Sequence, residues 1–313
     1  MNKNIVIYSR SLGVNNRVEP SSIPYDPETG VTAFEYAENV VVGPNGKASS
    51  RKGMTSRSSD SYHSIYSIGS TGYVVKERAT DAALYQIIPS SDGVLTFNGV
   101  RSGLSKEAYI DYYTIGDNTY YSNGVEHGIL NNNISSAWPV SEWNGPETKT
   151  PYKSTPAGEH IAFLSGTHYF SIGNVLHATP PGLYGIYFPS LAFKKFGSKI
   201  LLIVPAHDGL YIGTERRIHF LQGLEILKMQ KTTVADYPII EWSRSDDLIN
   251  PFLFGLNSIM PSFIIGTAKG PAICLPGGQL EDLISKNIKL PACTGAGATL
   301  CVDETLIFQS RGD

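Results

Sequence analysis

The sequence predicts an all-β chain: a β-propeller-like domain of six or seven blades of short antiparallel strands, with an extended N-terminal arm. Three observations lead there. The 31 Gly, 19 Pro and 18 Tyr of the 313 residues supply turns and strand formers, and no long run favours a helix. One hairpin plan then recurs, in which two β-branched or aromatic runs flank a polar turn. It is clearest from Gly209 to Gly223, returns from Ser262 to Leu275, and is spelled more loosely from Ile161 to Gly173, Tyr112 to Gly124 and Ser64 to Val75. Finally, Gly69, Gly116, Gly166, Gly213 and Gly266 occupy matching places in that plan, at steps of 47, 50, 47 and 53 residues. A period of about 45–50 residues made of short strands is the mark of a propeller.

Taken in order, residues 1–31 stand apart. Ile5 to Tyr8 reads as a strand, after which Gly13, Pro20, Pro24, Pro27 and Gly30 break any regular element. Ile5, Tyr8, Leu12 and Val18 give this arm more apolar groups than a free tail carries, so they are its interface candidates, in cis or in trans. Residues 32–313 form a single propeller-like domain. Its first hairpin runs from Ala37 through the turn Gly43-Pro-Asn-Gly46 to Arg51. Strand patterns follow over 62–89 and 93–130. Residues 131–155 are polar and proline-rich, and read as a long surface loop carrying Trp138 and Trp143. Strands resume over 161–178 and 191–240, 281–286 has the composition of a short helix, and a last hairpin turns at Asp303-Glu304. In this scheme Gly213 and Gly266 are equivalent positive-φ turn positions.

The charge balance excludes some functions. With 25 Lys and Arg against 28 Asp and Glu, the net charge of −3 does not provide a broad nucleic-acid surface. Cys274, Cys293 and Cys301 have neither metal-ligand spacing nor a disulfide pattern, which suits a reducing compartment. The most apolar window, 251–265, is too short and too often broken to span a bilayer, and residues 1–20 lack the apolar core of a signal peptide.

Several stretches resemble a family of tailed-bacteriophage virion proteins. They are Asn15 to Pro20, Ala37-Glu-Asn-Val40, the Gly43 turn closed by Arg51-Lys-Gly53, the Gly209 to Gly223 hairpin, Val234 to Pro238, and Ile264 to Gly270 with Leu290-Pro291 after it. Members of that family are propeller-like structural subunits of the tail, nozzle or neck. The resemblance implies a protein made in the host cytoplasm and located in the virion. It implies as partners copies of the chain in a ring, other tail or neck proteins, and tail fibres.

Catalytic alternatives find little support. The acidic pairs Asp246-Asp247 and Glu281-Asp282 are adjacent in sequence, and neighbours on a strand face opposite ways. The chain has no nucleophile elbow and no phosphate-binding Gly-Lys loop. His160 with His168, and His207 with Asp208, are the nearest approaches to a ligand pair. The sequence therefore assigns no catalytic residue, cofactor or metal, and predicts a protein that is not an enzyme. The alternatives are a carbohydrate- or receptor-binding propeller using the Trp138–Trp143 loop and, less favoured, a glycan hydrolase.

Overall fold

The computed structural model describes residues 10–14, 19, 23, 25–26, 31–34, 40–42, 48–50, 59–69, 71–90, 94–139, 142–143, 151–284, 295–302 and 305–310. The chain divides into two compact units, Met1–Ser59 with Asp282–Pro291, and Asp60–Glu281 with Ala292–Asp313. The break thus falls after Ser59, whereas the sequence suggested one after residue 31.

In the first unit, Arg10–Val14 pairs in parallel with Val31–Phe34, which also pairs with Tyr25–Asp26. The segment expected to be an irregular arm therefore contains a small sheet, and Leu12 lies in its edge strand. Ile5, Tyr8 and Val18 fall outside the described residues. Val40–Val42 and Ala48–Ser50 form the predicted antiparallel pair, although Gly43 itself is outside the described residues.

The second unit is built from four-stranded antiparallel sheets that resemble propeller blades. The first holds Tyr62–Ile68, Thr71–Glu77, Ala82–Pro89 and Leu95–Leu104; the second Asp111–Ile115, Asn118–Ser122, His127–Asn131 and Ile134–Ser136. The third holds Ile161–Leu164, Thr167–Ile172, Val175–Ala178 and Phe193–Lys195; the fourth Ile200–Ala206, Gly209–Thr214, Ile218–Gln222 and Gln230–Ala235. A fifth has three strands, Ile264–Thr267, Gly270–Leu275 and Gln279–Asp282, and Gly297–Val302 pairs with Thr305–Ser310 in a closing hairpin.

Each hydrophobic core lies between successive blades. Tyr66, Val75 and Leu84 of the first pack with Tyr112, Tyr121 and Leu130 of the second. Tyr120 and Ile129 then meet Ile161, Phe163 and Phe170. Ala162, Tyr169 and Leu176 meet Ile203, Ile212 and Leu221. Finally Leu202, Val204, Tyr211 and Phe220 meet Phe263, Ile265 and Cys274. Alternation explains why one strand serves two cores: Leu202 and Val204 face the fifth blade while Ile203 faces the third. A strand buried on both faces reads as a continuous apolar run, as Ile200 to Val204 does.

The repeat is real but its spelling misleads. Gly69, Gly116 and Gly166 do sit at positive φ (56°, 57° and 76°), each between the first and second strands of its blade. Gly213 and Gly266 do not. Both lie inside fully buried strands, and the turns follow them, closed by threonine hydroxyls. Thr214 Oγ1 accepts the Arg217 N–H and donates to the Arg217 carbonyl; Thr267 Oγ1 accepts the Lys269 N–H and donates to the Gly270 carbonyl. Gly213 belongs to a second strand, whereas Gly266 belongs to a first strand, so the two are not equivalent.

Two local expectations also fail. Residues 131–155 are not one loop, because Ile134–Ser136 completes the second blade and Lys153–Ser154 pairs with Ile186–Tyr187. Gln279–Asp282 is a strand, which takes Glu281 and Asp282 out of the predicted helix.

Candidate functional site at the blade hub

Among the described residues, the first strands of five blades converge on one irregular segment, Ile239 to Ile249. Polar side chains alternate along it, Ser243, Arg244, Ser245, Asp246, and in extended backbone that alternation sends them to opposite sides. The serines face the fifth blade. Ser243 Oγ accepts the Gly266 N–H at 2.9 Å and donates to the Ile240 carbonyl; Ser245 Oγ accepts the Ile264 N–H at 3.1 Å, and the Ser245 N–H donates to the Ile264 carbonyl at 2.8 Å. These bonds lay the segment along Ile264–Thr267 without a regular ladder.

Arg244 and Asp246 face the other blades. The Arg244 guanidinium donates to the Ile203 carbonyl at 2.8 Å, the Ile161 carbonyl at 3.3 Å, the Tyr112 carbonyl at 2.6 Å and Asp111 Oδ1 at 2.9 Å. Three blades are thereby tied to one side chain. The other Asp111 oxygen accepts the Ile161 N–H at 2.9 Å, so this carboxylate also bridges two blades. Both side chains of the pair are only 8 % exposed. A desolvated guanidinium needs such a full complement of acceptors, and its planar fork can aim at several at once. Asp246 reaches the remaining blade, where its Oδ2 accepts from the Ser67 N–H at 2.8 Å and the Ser67 hydroxyl at 3.1 Å. Burial pushes the Asp246 carboxyl up to about 6, against the opposing pull of the Ser67 bonds and Arg244.

Beside this clamp opens a cavity of about 580 Å³, lined by His63, Tyr66, Tyr109, Trp242, Arg244 and Asp246 among others. Trp242 adopts φ 64°, a left-handed conformation that costs a bulky residue about 1–2 kcal/mol. Its ring centroid lies 4.4 Å from that of His160 and 5.9 Å from that of Tyr109, which in turn lies 4.6 Å from that of His63. Glu241, one residue earlier, is 3.3 Å from His160 Nε2 and 3.5 Å from Lys199 Nζ. Burial raises the Glu241 carboxyl, but the nearness of His160 and Lys199 outweighs that and holds it below the usual range.

The sequence-predicted residues are distributed unevenly around this hub. Asp246 belongs to it, whereas Asp247 is exposed and Glu281 lies on an outer strand. His160 and His168 do not meet: His160 sits near Glu241, and His168 stacks on Phe163 and Trp138, where burial pushes it down to about 3. Asp208 accepts the Gly277 N–H at 3.0 Å. Among the described residues no three His, Cys, Asp or Glu side chains form a metal-binding group. Trp138 is not available to a partner, being 7 % exposed, with its indole N–H donating to the Tyr184 carbonyl at 2.9 Å. Trp143 packs edge-on against Phe188. Asp111, Trp242 and Arg244 were missed by sequence reasoning. The one signal was the Ser-Arg-Ser-Asp alternation outside any apolar pattern.

No family model and no curated protein matches the chain. Among solved structures it is similar to an extracellular domain from B. thetaiotaomicron, with 11 % identity and a TM-score of 0.45 over 90 % of this chain and 33 % of that one. It is also similar to Kluyveromyces lactis Hsv2, with 12 % identity and a TM-score of 0.41 over 78 % of this chain and 76 % of that one. The AfRom2 CNH domain matches at 9 % identity and a TM-score of 0.38, over 83 % and 72 %. The chain thus spans about a third of the length of the B. thetaiotaomicron chain. The propeller-like architecture rests on the sheets themselves.

Proposed function

We propose that the protein is a non-enzymatic structural subunit of a phage particle, assembling with copies of itself into a ring in the tail, nozzle or neck. The observation that carries an assembly role is an apolar surface in the fifth-blade connection. Leu248, Phe252, Leu253, Ile259 and Met260 are all exposed, Ile259 at 76 %, on a stretch held by the short 3-10 turn Pro251–Phe254. Large apolar side chains gathered on one surface stretch mark protein contacts rather than solvated surface. The hub supports the same role, because Arg244 and Asp111 are engaged in bonds that hold blades together. The phage setting comes from the resemblance of the sequence stretches named above.

The test is the oligomeric state of the purified chain by mass photometry and negative-stain imaging, followed by detection of the chain in isolated particles. Closed rings dispersed by Phe252→Asp with Ile259→Asp are expected. A monomer at every concentration, absent from particles, would remove the proposal.

A second reading places a small polar ligand in the hub cavity, favoured by the strained Trp242 beside the carboxyl of Asp246. This moves the carbohydrate- or receptor-binding alternative from the Trp138–Trp143 segment to the hub.

A further inference from the structure

A second concavity, of about 610 Å³, lies on the fourth blade: it is lined by Arg216, Arg217, Lys231 and His219, with Ser198 and Thr214. Positive charge gathers here on a chain whose net charge is −3. Glu215, Arg216 and Arg217 form the turn between the second and third strands of the fourth blade, and Lys231 stands on the fourth strand opposite Leu221. The turn is fixed by Thr214, whose hydroxyl accepts the backbone N–H groups of both arginines, at 3.4 and 3.1 Å. That leaves both guanidinium groups on a short, well-defined loop.

Little in the concavity neutralises these charges. Asp236 is its one acidic side chain, 3.0 Å from Arg217, but the two are 78 % and 58 % exposed. An ion pair so open to water holds its partner weakly, and a ligand with more charge can displace it. Arg216 is exposed and has no ion pair among the described residues. Lys231 rests its ammonium 5.4 Å from the centre of the Phe196 ring, which fixes its position without cancelling its charge. His219 is tied through Nδ1 to the Thr233 hydroxyl at 3.1 Å. Its ring centroid lies 5.4 Å from that of the same Phe196, and burial, followed by the charges of Lys231 and Arg217, lowers its pKa. With Asp236 counted against three cations, the concavity carries a surplus of about two positive charges.

We infer that this concavity is an oxyanion site that takes a phosphate group. A phosphate dianion matches the surplus charge, and the guanidinium forks and the ammonium that line the concavity can offer it charge-assisted hydrogen bonds. A monocarboxylate would leave one cation unneutralised. The charge could be supplied by one free phosphate dianion or by two neighbouring phosphodiester groups of a nucleic-acid backbone, each a monoanion. The site is separate from the apolar surface and from the hub, and stands whether or not the assembly role holds.

The test is isothermal titration of the full chain with inorganic phosphate, with acetate and with a twelve-residue oligothymidylate, all at one ionic strength set with sodium chloride. Arg216→Gln, Lys231→Gln and their double variant are run in parallel. Both side chains are exposed, so the variants should keep the wild-type thermal transition. Phosphate should bind at least about tenfold more tightly than acetate, and the double variant should weaken it at least about tenfold. Tighter binding of the oligonucleotide, lost in the same variant, assigns the phosphate to a nucleic-acid backbone; phosphate binding without it assigns a free anion. No saturable binding of phosphate or oligonucleotide, or binding that the double variant leaves unchanged, overturns the site.

Discussion

Arg244 and Asp111, 133 residues apart in sequence, meet at 2.9 Å in the hub, where Arg244 also holds the carbonyls of Tyr112, Ile161 and Ile203. One side chain thus ties three blades together, and Asp111 adds a second tie between two of them by accepting the Ile161 N–H. The pair is desolvated, so its parts are not independently expendable.

Removing one partner leaves the other buried and uncompensated. Arg244→Met is expected to destabilise the fold by about 3–5 kcal/mol, and Asp111→Asn by a comparable amount. The double variant should lose less than the sum of the two. Urea denaturation of the three variants checks this, and losses below about 1 kcal/mol in both single variants would show that the blades do not depend on the clamp.

Asp246 should govern a distinct part of the pH dependence. Its carboxyl is raised in the folded state to about 6, so the native protein binds a proton there that the unfolded chain has already released. Stability contributed by the protonated form is full below about pH 4 and is lost as pH rises to about 6. Asp246→Asn should remove that fall and be more stable than the parent at pH 7. Thermal unfolding of both proteins from pH 4 to 7 measures the difference, and parallel curves would contradict the assignment.

Gly213 and Gly166 should respond differently to substitution. A Cβ at Gly213 would overlap Ile239 side-chain carbons, whereas at Gly166 it would meet nothing within 4 Å and suffer only from φ 76°. Gly166→Ala is therefore expected to cost about 1–2 kcal/mol. Gly213→Ala should cost about 1–3 kcal/mol, and Ile239→Ala in the same chain should recover part of it. Absence of any recovery would show that the close approach to Ile239 is not the cause.

We propose that the arm adds contacts beyond the chain to those of the fifth-blade surface. Deleting residues 2–31 is expected to leave the thermal transition of residues 60–281 in place while abolishing incorporation into particles. Circular dichroism and particle purification read the two effects separately. Loss of the folded transition would make the segment part of the domain instead.

What the sequence determined by itself was the class of fold and the rhythm of the blades. Short alternating runs and turn residues act over a few neighbours, so Gly69, Gly116 and Gly166 could be placed directly from the chain. Even there, local spelling was ambiguous, because a buried glycine kept small by Ile239 and a turn glycine kept for its φ are the same letter. The fourth strand of the second blade was hidden because an edge strand buries little and needs no apolar alternation; Ile134–Ser136 is largely exposed. The hub was decided only by tertiary structure. Asp111 comes from a first strand and Arg244 and Asp246 from a segment more than 130 residues later, and Asp111 and Arg244 are unremarked polar residues until folding removes their water. Desolvation then forces every buried donor and charge to find a partner, and the converging first strands supply those partners at one point.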